Sequence, residues 1–302
     1  MAVSSRLLLL ALFALVACAQ QPTRTWDIPA DAKFVRVNDY DMTYLERGSG
    51  PPLLLVHGAL TDYRFFAGSI DILARQHRVL SVGLRHYYPE AWDGRGTTFT
   101  GTQHASDIAA LIRALGLGRV HLFGHSRGAG VVLLVAKNSP EVLRSLIVSE
   151  GGGGFRALNP RAPLPGQTPG PVTPLVATTQ ALLDQGRRDE AAMTYWNGVG
   201  GPGAWDKESE MDKEFLKANI WTVRAPPTPP PPFECADIAK LPVPVLVMFG
   251  DKTYPWAKIP MEAIKTCVVH SQMVVLPDAG HLFPQEVPKE FAEALLDFTS
   301  RN

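Results

Sequence analysis

The pattern of hydrophobic and polar positions changes several times along the chain, and each change predicts a different element. Near the start, residues 34–37 and 42–46 alternate apolar and polar positions around Asn38-Asp39, which is typical of an antiparallel hairpin. Short continuous apolar runs follow, and such runs indicate strands that are buried on both faces of a sheet: 53–56, 79–82, 120–123 and 146–148.

Residues 106–115 and 128–137 lie between these runs and follow a different period. Their apolar residues stand three and four positions apart, as in amphipathic helices. Strands that alternate with helices build a parallel sheet that is covered on both faces. The first half of the chain therefore predicts an α/β architecture.

A segment rich in glycine and proline interrupts the alternation from Gly151 to Pro232 and holds two or three amphipathic helices. Strands and helices then alternate again, with a strand at 243–249, a helix near Met261, a strand at 273–276 and a helix from Pro288. We therefore predict a mostly parallel eight-stranded sheet with helices on both faces, within a domain at 33–302. The interrupting segment, at about 151–240, is predicted to form a helical cap inserted after strand six.

Charge and composition exclude some classes of function. The chain has 29 basic and 29 acidic residues, and no basic stripe interleaved with aromatic residues marks a nucleic-acid surface. No group of cysteines and histidines has the spacing of metal ligands. We therefore expect no nucleic-acid partner, no metal and no cofactor, and the oligomeric state stays open.

The first residues have the pattern of an export signal. Arg6 precedes an apolar run at 7–17 that is too short to span a bilayer comfortably, and small residues end it, so residues 1–17 are predicted to be a secretory signal peptide. The run closes on Leu15-Val16-Ala17-Cys18, which resembles a bacterial lipobox. That resemblance implies lipidation of Cys18, a tether at 18–32 and an outer-membrane lipoprotein facing the periplasm. The alternative is ordinary cleavage that releases a soluble periplasmic or secreted protein.

Two further cysteines, Cys235 and Cys267, lie in the folded part of the chain. An oxidising compartment would permit a disulfide between them. The spacing alone does not show whether their Cβ atoms face each other, so a bridge and two free thiols both stay open.

The motif that carries the most chemical information is Gly124-His125-Ser126-Arg127-Gly128, which fits G-x-S-x-G. It directly follows a predicted strand and directly precedes a predicted helix, where a tight turn lifts the serine out of the sheet. We predict that Ser126 is a nucleophile. A serine hydroxyl needs a base to remove its proton.

His281 is the best candidate for that base. It follows the last predicted strand in Asp278-Ala279-Gly280-His281-Leu282, so a loop would hold it at the carboxyl edge of the sheet. Its place late in the chain also agrees with the order serine, acid, histidine.

Three segments together resemble the α/β-hydrolase superfamily: 53–58, 124–128 and 280–281. The resemblance extends from about residue 34 to residue 301 and implies the α/β-hydrolase fold. It also implies an oxyanion hole formed by the backbone N–H groups of Ala59, after His57-Gly58, and of Arg127. Residues 201–205 resemble a bacterial branch that includes some lactone hydrolases.

The acid departs from the common pattern of this superfamily. Many relatives carry an aspartate three residues beyond the glycine that ends strand seven, but Thr253 stands there in this chain and Asp251 comes two residues early. Glu150, at the end of strand six, is the other candidate, because some lactonases and dehalogenases take their acid from that strand. We favour Glu150 and keep Asp251 as the alternative.

The segment around the site is rich in aromatic residues, and we predict that Leu60, Phe65, Trp205 and Trp221 contact substrate. Apolar walls around a serine favour a small, uncharged, partly apolar substrate. The predicted function is hydrolysis of a carboxylic ester or lactone through an acyl-enzyme. The alternatives are cofactor-free perhydrolysis, C–C bond hydrolysis, or a non-catalytic binding protein of the same fold.

Overall fold

The structure is a computed structural model that describes residues 28–151, 172–223 and 234–302. The predicted signal peptide, the lipobox with Cys18 and most of the tether lie outside the described residues and stay predictions. Among the described residues, no helix combines the length and the apolar character needed to cross a membrane.

An eight-stranded sheet forms the centre of the domain, with the spatial order β1-β2-β4-β3-β5-β6-β7-β8. Its strands are β1 Lys33–Val37, β2 Tyr40–Arg47, β3 Pro52–Val56, β4 Arg78–Val82, β5 Val120–His125, β6 Leu143–Ser149, β7 Val245–Gly250 and β8 Gln272–Leu276. The β1–β2 hairpin and the β2–β4 pair are antiparallel, and the other pairs are parallel. The predicted α/β-hydrolase fold is confirmed.

Helices cover both faces of the sheet. They are α1 Ala67–Leu73, α2 Gly101–Ala114, α3 Arg127–Asn138, α4 Val172–Asp184, α5 Arg188–Gly200, α6 Ala204–Lys207, α7 Glu210–Asn219, α8 Cys235–Ile238, α9 Pro255–Cys267, α10 Phe283–Glu286 and α11 Pro288–Ser300. Helix α2 begins five residues earlier than its apolar periodicity predicts, at Gly101 and not at 106. The reason is its N-cap, because the Thr100 hydroxyl accepts a hydrogen bond from the N–H of Gln103 at 3.0 Å.

Each central strand sends alternate side chains into two separate cores. Leu54 and Leu122 lie in the core beneath α2 and α3, whereas Leu55 and Phe123 lie in the core beneath α1 and α11. All six residues of β5 are buried. This explains the continuous apolar run at 120–123, since a strand covered on both faces has no solvent side. The buried strand provides a rigid base for the turn that follows it.

Helices α4 to α7 lie between β6 and β7 in the chain and have a small core of their own. Trp196, Leu216 and Ile220 form part of it, together with Leu60 from the loop after β3. Helix α8 falls within the segment predicted as cap, but its Ile238 packs into the core beneath α3. The cap that the structure describes therefore ends at Val223, before α8.

Cys235 in α8 and Cys267 at the end of α9 form a disulfide, with their Cα atoms 5.2 Å apart. The sequence left this question open. The bond links two helices that cover the same face of the sheet.

Candidate active site

Ser126 occupies a sharp turn between β5 and α3. Its backbone has φ 53° and ψ −116°, in a region that non-glycine residues rarely adopt. The turn brings backbones close together on both sides. A Cβ atom at Gly124 would lie 2.4 Å from the Gly128 carbonyl oxygen, and one at Gly128 would lie 2.5 Å from the His57 carbonyl oxygen. The two glycines of the motif are therefore steric requirements of the turn.

The turn presents Ser126 to the loop after β8. The Ser126 hydroxyl lies 3.1 Å from Nε2 of His281, and Nδ1 of the same ring lies 3.0 Å from Oε2 of Glu150. The carboxylate can only accept, so Nδ1–H donates to it and Nε2 is left to accept the serine proton. Glu150 is fully buried and His281 is 5% exposed. The structure therefore joins three of the predicted site residues in one hydrogen-bonded chain.

Glu150 is held by partners from β7 and the turn after it. Its Oε1 accepts a hydrogen bond from the N–H of Gly250 at 2.8 Å, and its Oε2 accepts one from the Thr253 hydroxyl. Thr253 stands at the position where many relatives carry the acid. A hydroxyl there supports a carboxylate that comes from the neighbouring strand, which explains the departure from the common pattern.

Asp251, the alternative acid, does not contact His281. Its Oδ1 accepts a hydrogen bond from the N–H of Ala279 at 3.2 Å, in the loop that carries the histidine. The same loop is held by Glu286, which accepts from the N–H groups of Gly280 at 2.5 Å and Leu282 at 3.2 Å. Asp251 therefore braces the histidine loop, and Glu150 is the carboxylate that the imidazole meets.

The predicted oxyanion residues adjoin the serine. Arg127 is the first residue of α3, where backbone N–H groups have no partner within the helix. On the other side, a Cβ atom at Gly58 would lie 3.0 Å from the Ser126 Cβ, so the Gly58-Ala59 backbone approaches the serine closely. Ala59 and Arg127 both line the cavity that contains Ser126.

That cavity has a volume of about 270 Å³ and lies between the carboxyl edge of the sheet and the cap. The sheet side contributes Ser126 and His281, and the cap contributes Leu175, Tyr195 and Trp196. A volume of this size holds a small substrate.

The prediction that Leu60, Phe65, Trp205 and Trp221 contact substrate is corrected by the structure, because none of them lines this cavity. Leu60 is fully buried in the core of the cap, and Trp205 and Trp221 pack against that core. Phe65 stacks on His125 with the ring centroids 5.2 Å apart. These side chains therefore pack within the core of the cap or, in the case of Phe65, against His125.

Two aromatic rings beside the catalytic candidates were missed by the sequence analysis. Trp256, in the first turn of α9, lies with its ring centroid 4.8 Å from that of His281. His125 also lines the cavity, with its centroid 5.1 Å from that of His281. The proline that begins α9, a residue favoured at the first helical position, was the only signal for Trp256. The signal for His125 was its position directly before the motif serine.

Burial keeps two further histidines near the site neutral. Desolvation lowers the pKa of His57 to about 4 and the pKa of His125 well below its usual value. His57 accepts a hydrogen bond from the N–H of Leu84 at Nε2 and donates from Nδ1 to the Gly58 carbonyl. This pattern requires the neutral ring. His57 therefore fixes the loop that carries Ala59.

A sheet of this order, with a serine on the turn after β5 and a histidine in the loop after β8, is the arrangement of an α/β hydrolase. The alpha/beta hydrolase family matches residues 53–294, and the chain belongs to this family.

Several known proteins that are similar to the chain are named as hydrolases. A 2-hydroxy-6-oxo-6-(2'-aminophenyl)hexa-2,4-dienoic acid hydrolase from Metapseudomonas resinovorans is 25% identical over 285 residues, 89% of this chain and 91% of the relative. A fluoroacetate dehalogenase from Burkholderia sp. is 33% identical over 123 residues, 39% of this chain and 40% of the relative. The chain thus aligns with about two fifths of the length of this curated relative.

Solved structures share the fold. A carboxylesterase from Bacillus subtilis superposes with a TM-score of 0.72 at 19% identity, over 92% of this chain and 94% of that structure. An esterase from Exiguobacterium antarcticum gives a TM-score of 0.73 at 20% identity, over 88% and 98% of the two chains. At these identities the likeness shows a common architecture only.

Proposed function

We propose that this protein is a serine hydrolase that cleaves a carboxylic ester or lactone of a small, partly apolar substrate through an acyl-enzyme. The observation that carries the proposal is the continuous hydrogen-bonded chain from Ser126 through His281 to Glu150. A serine becomes a nucleophile when a base accepts its proton and a third group orients that base.

In the proposed mechanism, Nε2 of His281 takes the proton as the Ser126 oxygen attacks the substrate carbonyl carbon. Glu150 keeps Nδ1 protonated and stabilises the imidazolium that forms. The N–H groups of Ala59 and Arg127 stabilise the oxyanion, and one such donor is worth roughly 3 kcal/mol in the transition state. The imidazolium then protonates the leaving alkoxide, and a water molecule activated by the same ring hydrolyses the acyl-enzyme.

The nucleophile separates this chemistry from that of some similar proteins. Displacement of a halide or opening of an epoxide on this fold needs a carboxylate that forms an alkyl ester with the substrate. The chain has Ser126 at that position. We therefore do not extend the activity named for the dehalogenase to this protein.

C–C bond hydrolysis is the second candidate, because the relative from Metapseudomonas resinovorans, which covers 89% of this chain, is a hydrolase of a hexadienoic acid. The same three residues would serve it. A non-catalytic binding protein is disfavoured, since binding requires neither the strained turn at Ser126 nor the aligned imidazole.

A panel of p-nitrophenyl esters, aliphatic lactones and one dienoic-acid C–C substrate tests the proposal. We expect the wild-type protein to turn over esters or lactones, and the Ser126→Ala variant to lose at least a thousandfold in kcat, because the nucleophilic route is removed. Ser300→Ala is the matched control, since Ser300 is exposed at the end of α11. Turnover that survives in Ser126→Ala contradicts the proposal, and turnover of the C–C substrate alone favours the second candidate.

A further inference from the structure

The side chain of Arg127 forms no ion pair among the described residues, although the residue is next to the candidate nucleophile. Its backbone follows Ser126 directly, and the residue lines the cavity. The Nε atom is buried and has no hydrogen-bond partner among the described residues. One face of the guanidinium lies on the ring of Phe99, 4.1 Å from the centroid. Stacking occupies one face of the group, and among the described residues no acceptor is found for its N–H groups.

Two other arginines whose side chains have little exposed surface are paired. Arg85 donates to Asp107 at 2.8 Å and to Asp39 at 2.9 Å, and Arg64 donates to Asp62 at 2.6 Å. Among the described residues, by contrast, no carboxylate forms an ion pair with Arg127. The two internal segments outside the described residues, 152–171 and 224–233, contain no aspartate or glutamate. Neither of these two segments can therefore supply a carboxylate counter-ion for Arg127.

The described residues that line the cavity also carry a positive side chain and no negative one. Of the described residues that line it, Arg127 is the only arginine or lysine, and none is an aspartate or glutamate. Thr61, which lines the same cavity and is 8% exposed, has a buried hydroxyl without a hydrogen-bond partner. A buried guanidinium nitrogen and a buried hydroxyl that both lack a partner among the described residues are costly unless a ligand satisfies them.

We propose that the substrate carries a carboxylate, which binds the free N–H edge of Arg127 and accepts a further hydrogen bond from Thr61. A guanidinium presents two parallel N–H groups that match a carboxylate. This inference rests on the proposed function and narrows it to esters or lactones of small dicarboxylic or carboxylate-bearing acids. It also replaces the expectation of an uncharged substrate, which considered only the apolar walls.

The cavity limits the size of such a substrate. Because Arg127 and Ser126 are adjacent residues and the volume is about 270 Å³, a short chain must separate the carboxylate from the scissile carbonyl. Half-esters of succinate or glutarate meet this requirement. Binding through Arg127 would fix the carbonyl in front of Ser126, since two anchored points leave the acyl chain little freedom.

The kinetic test compares p-nitrophenyl hemiglutarate with its neutral methyl ester, p-nitrophenyl methyl glutarate. We expect wild-type protein to prefer the acid in kcat/KM, and Arg127→Met to lower that acid-to-neutral ratio by about 30-fold or more, as for loss of a buried charge pair. Arg127→Lys, which keeps the charge but not the planar fork, should retain part of the preference. Arg113→Met, at an exposed arginine of α2 that pairs with Glu141, is the control and should leave the ratio as in wild type.

A binding measurement separates this inference from the proposed function. Calorimetry with Ser126→Ala compares monomethyl glutarate with dimethyl glutarate, and we expect preference for the acid that disappears in Ser126→Ala/Arg127→Met. An unchanged acid-to-neutral ratio in Arg127→Met, or a wild type without preference, would overturn the carboxylate site even if neutral esters are hydrolysed. Arg127-dependent binding without turnover of any ester would support the site and count against the esterase proposal.

Discussion

Replacement of Glu150 by glutamine should lower kcat by about three to four orders of magnitude, the effect seen when the acid of a serine triad becomes an amide. Oε2 of Glu150 accepts the Nδ1–H of His281. An amide keeps the shape of the side chain but can place its NH2 group opposite Nδ1, which favours the tautomer that cannot accept the serine proton. It also removes the charge that stabilises the imidazolium.

Asp251→Asn is the matched control, because it makes the same chemical change one strand away. The hydrogen bond that Asp251 accepts from Ala279 can be retained by the asparagine carbonyl oxygen, so kcat should stay within a few-fold of wild type. Thermal unfolding of both variants checks that the fold is intact. A large loss in Asp251→Asn together with a small loss in Glu150→Gln would assign the acid to strand seven.

Mild acid should destabilise the protein strongly, because several of its histidines are buried. Desolvation lowers the pKa of both His57 and His121 to about 4 and the pKa of His104 and His125 well below its usual value. In the unfolded chain these rings titrate near 6.5. Between pH 6.5 and about 4 the unfolded state therefore binds protons that the folded state refuses, and the free energy of unfolding falls as the pH falls.

The size of this loss of stability follows from the difference between the pKa of each histidine in the unfolded chain and its pKa in the folded protein. A fully buried ring such as His57, titrating near 4 when folded, contributes about 3 kcal/mol of destabilisation at pH 4. Several such rings approach the whole stability of a typical domain. Carboxylates with a lowered pKa, such as Glu46, act only at lower pH, since their unfolded value is near 4.5.

Urea unfolding at several pH values between 7.5 and 4.5 measures this dependence. We expect a fall of several kcal/mol over the range, and a shallower fall in His121→Gln, which removes one buried ring far from the candidate active site. A free energy of unfolding that stays constant from pH 7.5 to 4.5 would contradict the buried neutral histidines.

The sequence pattern located the sheet because its central strands are covered on both faces. Runs such as 53–56 and 120–123 have no polar alternation, and the structure places them in the middle of the sheet. Ser126 and His281 could be predicted for a similar reason, since each follows a strand whose end the hydrophobic pattern defines. Both therefore had to lie at the same edge.

The hydrophobic pattern could not decide whether Glu150 or Asp251 is the acid, because β6 and β7 are neighbouring strands and both end at that edge of the sheet. The direction of a side chain after a strand depends on local backbone angles. Glu150 has φ 58°, which the sequence did not reveal. From the sequence, Thr253 showed only that the expected aspartate was absent, and not that its hydroxyl would donate a hydrogen bond to the Glu150 carboxylate.

The walls of the cavity were the least predictable part. Trp196 and Trp205 lie in the same cap segment, yet only Trp196 lines the cavity, because the packing of the cap helices decides which ring faces inward. The lack of a carboxylate partner for Arg127 among the described residues could not be predicted either, because it depends on which partners the carboxylates elsewhere in the fold have.

Mass spectrometry after treatment with a fluorophosphonate detects a nucleophilic oxygen at position 126 that His281 activates. We expect a single adduct on the tryptic peptide that contains Ser126, no adduct in Ser126→Ala, and labelling at least a hundredfold slower in His281→Gln. Folded wild-type protein that acquires no adduct, or acquires it on another residue, would show that Ser126 is not the nucleophile.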